Sequence, residues 1–151
     1  MKRSLVQPSG LPIKVLTRHP DLQQVRIVPH KTHYTVEVVY EKAICVDENL
    51  NPAYFAGADI GLDNLVTITS NNPGFVPVVV NGRPIKSINQ YCNSRRAELQ
   101  ALLPVGASSR RLERLTDKRN RRILHELHLA SRRVIELLVQ EGIGTLIIVK
   151  N

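Results

Sequence analysis

One carboxylate in this chain stands where chemistry would need it. Asp59 lies inside the stretch Ala58-Asp59-Ile60-Gly61-Leu62-Asp63-Asn64-Leu65, which runs on into the apolar Val66-Thr67-Ile68-Thr69. The pattern predicts a strand, a tight glycine turn and a returning strand. An ionised carboxylate within a buried strand is costly to desolvate unless a metal ion or a basic group compensates it, which makes Asp59 a candidate metal ligand. The alternative is a strand-end aspartate whose side chain caps the Gly61 turn.

The second concentration of chemistry is basic. Arg95, Arg96, Arg110, Arg111, Arg114, Lys118, Arg119, Arg121, Arg122, Arg132 and Arg133 crowd the C-terminal half. Arg111, Arg114, Lys118 and Arg122 recur at three- and four-residue steps, so a helix would carry them on one side. Guanidinium groups match phosphate oxygens in shape, and each neutralised phosphate releases counterions. Arg110, Arg111, Arg114, Lys118, Arg119, Arg121 and Arg122 are therefore the candidate nucleic-acid-binding residues. The competing reading is a solvated face balanced by Glu113, Asp117 and Glu126.

Other groups carry less. His125 and His128 stand three apart with Glu126 between them, but lack the five-residue zinc pattern and read as one core and one surface histidine. His30 and His33 flank a turn. Ser131 has no acid partner or glycine elbow, which excludes a hydrolase triad. Cys45 and Cys92 form no CxxC pair, so the sequence predicts reduced thiols and neither a disulfide framework nor a zinc ribbon.

The 151 residues carry a formal net charge of +8, a balance suited to a polyanionic partner. No apolar run approaches the roughly 20 residues that a membrane helix needs, and no signal-peptide core follows Met1-Lys2-Arg3-Ser4, so a soluble cytoplasmic protein is expected.

The elements that must position these groups follow from periodicity. Residues 1–10 read as a loose lead-in and 11–16 as a short edge strand. Residues 25–28 and 33–40 are β-branched and aromatic strands of a small antiparallel sheet. A polar linker at 47–52 marks a module boundary. Strands then follow from Asp59, at 65–69 and at 75–80, with Pro77 favouring an edge. Asn81-Gly82 predicts a hairpin turn into Arg83-Pro84-Ile85-Lys86. From 87 to 103 the spacing is helical, with Ile88, Tyr91 and Cys92 in the apolar stripe, and residues 104–109 break it. The longest helix is predicted over 110–141, with Gly142 as its cap. Residues 143–149 hold no charge and predict a strand buried on both faces.

Taken together, several stretches resemble the TnpB/OrfB proteins of insertion sequences. These are Asp59-Ile60-Gly61-Leu62-Asp63-Asn64-Leu65, then Asn81-Gly82-Arg83-Pro84-Ile85-Lys86-Ser87-Ile88-Asn89-Gln90-Tyr91. Lys118-Arg119-Asn120-Arg121-Arg122-Ile123, Leu127-His128, Ala130-Ser131-Arg132 and Ile143-Gly144-Thr145-Leu146-Ile147-Ile148 continue the match in the family's order. The similarity covers about residues 25 to 151. It implies an RNA-guided DNA endonuclease with guide RNA and DNA as partners, related to type V CRISPR effectors.

The implied fold class is α/β, a partial RNase H-like (RuvC) fold: three antiparallel strands, basic helices, and a fourth strand parallel to the first. Residues 1–50 would be a remnant of the wedge-like β-barrel module and 55–151 the partial nuclease domain. Asp59 would be the first catalytic aspartate. Such nucleases hold two Mg²⁺ ions about 3.5–4 Å apart between converging acids. The family's glutamate follows the strand that matches Thr145 to Ile148, a position held here by Val149, and its zinc ribbon and third aspartate are absent. The sequence therefore predicts a truncated, catalytically incomplete chain, or alternatively a non-catalytic RNA- or DNA-binding module.

A displaced acid is a further expectation. At about 3.3 Å per strand residue and 1.5 Å per helix residue, travelling the last strand's length back along the preceding helix takes roughly 11 to 14 residues. Counted back from Glu141, that arrives near Glu126 to Ala130 and makes Glu126 the candidate second ligand beside Asp59. The competing reading pairs Glu126 with Arg122 at the surface.

Overall fold

The computed structural model describes residues 4–7, 12, 14–19, 21–43 and 49–149. Two compact units result, Met1–Val46 and Asp47–Asn151. The boundary residues 44–48, with Cys45, lie outside the described residues.

The first unit is built from hairpin-like pairs. β1 (Ser4–Val6) pairs antiparallel with β2 (Val15–Thr17), so part of the expected lead-in is a strand. β3 (Leu22–Pro29) and β4 (Tyr34–Tyr40) form a second antiparallel pair, where the β-branched runs predict it. His30 donates its backbone N–H to the carbonyl of His33 at 2.8 Å and closes the turn. The His30 and His33 rings stack at 4.6 Å, and those of His19 and Tyr40 at 3.6 Å.

The second unit is a mixed α/β layer structure. β5 (Asn51–Ile60), β6 (Asn64–Ser70) and β7 (Val78–Asn81) form an antiparallel meander. α1 (Arg83–Gln100) and α2 (Arg110–Gln140) follow, and β8 (Ile143–Val149) returns parallel to β5. The sheet order is β7-β6-β5-β8. A parallel return needs a crossover, and the two helices provide it.

The organising strand begins earlier than the sequence suggests. β5 starts at Asn51, inside the expected linker, and Pro52 is accommodated where the β5–β8 register is irregular between Asn51 and Phe55. The Asn71 side chain accepts from Phe55 N–H at 2.8 Å and donates to the Ala53 carbonyl at 3.1 Å. Thus the polar turn after β6 satisfies β5 backbone groups outside the ladder.

Residues 83–86 depart furthest from expectation. They are not a returning hairpin strand but the first turn of α1. Proline in the first helical turn has no N–H to leave unsatisfied, and Asn81 Oδ1 accepts the Arg83 N–H at 2.9 Å. Gly82 sits against the 61–63 turn: a Cβ there would stand 2.7 Å from the Leu62 carbonyl oxygen. The Asn-Gly pair therefore serves a helix start packed on backbone, not a two-residue hairpin.

α2 carries orthodox end signals. The Ser109 hydroxyl accepts from Leu112 N–H at 3.3 Å, and Glu113 lies in the first turn. Gly142, at φ 64°, follows the last turn as expected. Between these ends, Val134 and Leu138 pack with Ala56, Ile68 and Ile143 to form the core. Their spacing of four residues puts both on one helical side. α1 packs alongside α2, burying Cys92, a free thiol. Among the described residues no helix is long and apolar enough to cross a membrane.

β8 is not buried on both faces. Among the described residues it is the sheet edge, paired only with β5, and its end is open: Ile148 is 58% exposed and Val149 51%. An uncharged run reads the same whether one or both faces are covered; here α2 reaches Ile143 and Leu146 and leaves the rest.

Candidate nucleic-acid interface and the Asp59 corner

Asp59 occupies an inner strand, with Thr67 of β6 and Val149 of β8 as its register neighbours. Side chains alternate along a strand, and Ala56 and Ala58 are buried on the side that faces the core. Asp59 therefore shares the opposite face with Gly57, Thr67 and Val149. Its side chain is exposed, and it has no hydrogen-bond or ion-pair partner among the described residues. The expected desolvation cost does not arise, and neither does the expected cap on the Gly61 turn. That turn is closed by backbone, with Gly61 N–H directed to the Leu65 carbonyl at 3.4 Å, and a Cβ on Gly61 would stand 2.9 Å from the Asn64 oxygen.

Glu126 lies elsewhere. It is half-buried on α2 and lines a cavity of about 560 Å³ whose walls include Ile68, Val78, Val80, Ile85, Ala130 and Val134. That is the α2 side of the sheet. The structure does not bring Glu126 and Asp59 together, nor does it pair Glu126 with Arg122. The helix-length argument takes no account of strand alternation, which sends Asp59 to the face opposite α2. His125 and His128 are both exposed, so neither is a core histidine.

A pair of Mg²⁺ ions needs several converging oxygen ligands. Among the described residues no group of three or more His, Cys, Asp or Glu side chains could hold a metal ion. With threonine and valine as the register neighbours of Asp59, these residues do not fit a two-metal centre.

The basic residues behave differently. Arg110, Arg111, Arg114, Lys118, Arg121 and Arg122 are all exposed on α2, and none forms a salt bridge among the described residues. Lys118, Arg121, Arg122 and His125 line an open cleft with Ile88 of α1, and Glu126, which also lines the larger cavity, is the one acid at its wall. Arg119 is the exception. Its Nε donates to Asn89 Oδ1 of α1 at 2.7 Å, and its guanidinium also reaches Asn120 Oδ1 at 3.1 Å. It fastens the two helices, a role no local pattern reveals because its partner is 30 residues away.

The other cations with acidic partners lie off this row. Arg132 Nε binds Glu136 Oε1 at 2.6 Å, and that hydrogen bond, with the charge behind it, raises the guanidinium pKa above its ordinary value. Arg95 pairs with Glu98 on α1, and Lys86 with Asp63 at the 61–63 turn.

The OrfB_IS605 family, described as a probable transposase, matches residues 31–151. The chain belongs to this family. The TnpB/OrfB resemblance read from the motifs is thereby borne out, and the OrfB_IS605 match begins within the first unit and spans the whole of the second. No curated protein matches the chain.

Proposed function

We propose that this OrfB-family protein is a transposon-associated nucleic-acid-binding protein of the RNA-guided endonuclease type, with α2 holding the phosphates of guide RNA or DNA, and that the 151-residue chain does not cleave by itself. The observation that carries the reading is the row Arg111, Arg114, Lys118 and Arg122. These four cations are exposed, lie on one side of a single helix, and have no acidic partner among the described residues. A solvated face of no function would be expected to pair such groups with its own acids. Unpaired cations instead exchange counterions for phosphate at little cost.

A RuvC-like reading of the second unit is supported by its topology: an antiparallel meander, two helices, and a strand returning parallel to the first. In that reading Asp59 stands for the first acid. The non-cleaving part of the proposal rests on Val149 beside it, where a second carboxylate would have to be. A lone carboxylate holds Mg²⁺ weakly, because the ion gives up its waters reluctantly.

The test is direct. Labelled single- and double-stranded DNA and RNA are mixed with the full chain and titrated with Mg²⁺ or Mn²⁺. Binding without cleavage is expected, and Asp59→Asn should bind as the parent does. Cleavage that disappears in Asp59→Asn would overturn the non-cleaving half, and absence of any binding would overturn the other.

A further inference from the structure

Phosphate binding leaves one feature of the α1–α2 cleft unused. Tyr91 lies on α1 a single turn after Ile88, at the place where the sequence pattern expects an apolar helix-stripe residue. Cys92, its neighbour in that stripe, is buried at 5% exposure, whereas Tyr91 is 61% exposed. The Tyr91 hydroxyl has no hydrogen-bond partner among the described residues. Its ring borders a recess shared with Ile88, Lys118 and Arg122, and the last three also line the adjoining cleft with Arg121, His125 and a single acid, Glu126. An exposed aromatic ring thus shares a recess with Ile88 and with two cations that have no acidic partner among the described residues.

We propose that Tyr91 is a base-stacking platform, and that the α1–α2 cleft accepts a single strand of polynucleotide, with phosphates on Lys118, Arg121 and Arg122 and a base on the Tyr91 ring. The inference rests on α2 being the phosphate-binding element and adds the form of nucleic acid it takes. A duplex satisfies its base faces internally and offers this surface only phosphates and groove edges. An unpaired strand offers a charged backbone and a free π-face together, the combination that single-strand-binding surfaces use. Stacking does not distinguish one base from another, so the cleft is tolerant of sequence. Arg119, held by Asn89, keeps α1 and α2 in the relation that sets ring and cations side by side.

The experiment measures the affinity of the full chain for four labelled probes of equal length: an oligothymidylate, an oligouridylate, an abasic strand with the same phosphates, and a duplex. Tyr91→Leu and Tyr91→Phe are compared with the parent, with thermal unfolding followed by circular dichroism to show that each is folded. Tyr91→Leu should lose roughly five- to a hundredfold in affinity for both base-carrying strands. It should lose almost nothing on the abasic strand and keep the parent's salt dependence, while Tyr91→Phe retains binding. Equal affinity of Tyr91→Leu and parent, equal losses with and without bases, or tighter binding of the duplex than of the strands would overturn the proposal. Failure of the parent to bind any probe would remove the phosphate-binding reading as well. Salt-dependent binding with a silent Tyr91→Leu would remove stacking alone.

Discussion

Two regions of the second unit carry charge that the core does not need, and they are organised in opposite ways. On α2 the cations Arg111, Arg114, Lys118 and Arg122 recur at helical spacing, exposed and without acidic partners among the described residues. At the ends of β5 and β8 there is one carboxylate, with threonine and valine in register beside it. Binding a polyanion tolerates approximate placement, because each phosphate contact adds its own increment and none must converge on another. Holding a metal pair does not, because several ligands must meet within a few ångströms. A helix with a regular basic spacing meets the first demand by periodicity alone. The second demands that separate strands bring acids to one point, and β8 brings Val149.

The contrast fails if α2 is not fixed to the sheet, since a loose helix would present no ordered row. Leu138→Ala removes a core side chain that packs with Ala56, Ile68 and Ile143, and should cost about 2–5 kcal/mol of unfolding free energy in denaturant titrations. A negligible loss would mean that α2 is held by something other than this core.

A smaller effect separates the arginine that fastens from the arginines that bind. Arg119→Ala should lower stability by about 1 kcal/mol through the lost bond to Asn89. Asn89→Ala should do the same, and the double variant should cost less than the sum of the two. Arg122→Ala should leave stability nearly unchanged while weakening nucleic-acid binding. Equal behaviour of Arg119→Ala and Arg122→Ala in both measurements would erase the distinction.

Much of this arrangement is legible in the sequence, and the failures have definite causes. The bounds of α2, its Gly142 cap and the parallel pairing of the last strand with the Asp59 strand follow from periodicity, turn chemistry and the resemblance. The family follows from motif order. What escapes is set by tertiary context. Arg83–Lys86 reads as a strand because Asn-Gly is a hairpin signal, yet Pro84 and the Asn81 side chain suit the start of a helix equally well, and packing of Gly82 on the 61–63 backbone decides. The apolar run 143–149 looks doubly buried because composition does not report which strand is at an edge. Asp59 looks buried because its neighbours are apolar, although Ala58 and Ile60 point to the other face. The same alternation separates Glu126 from Asp59. Tyr91 fits the apolar stripe by spacing but sits at its margin, where the ring meets solvent.

The central claim is that the row on α2 supplies the affinity for nucleic acid, and its salt dependence tests this most directly. Binding of a labelled single strand is measured across a range of salt concentrations for the parent and for a variant with Arg111, Arg114, Lys118 and Arg122 all replaced by glutamine. At about 0.7 per phosphate contact on a single strand, the slope of log affinity against log salt should fall in magnitude by about 2 to 3, with weaker binding at every salt concentration. An unchanged slope and affinity would show that these cations are a solvated face and contradict the account.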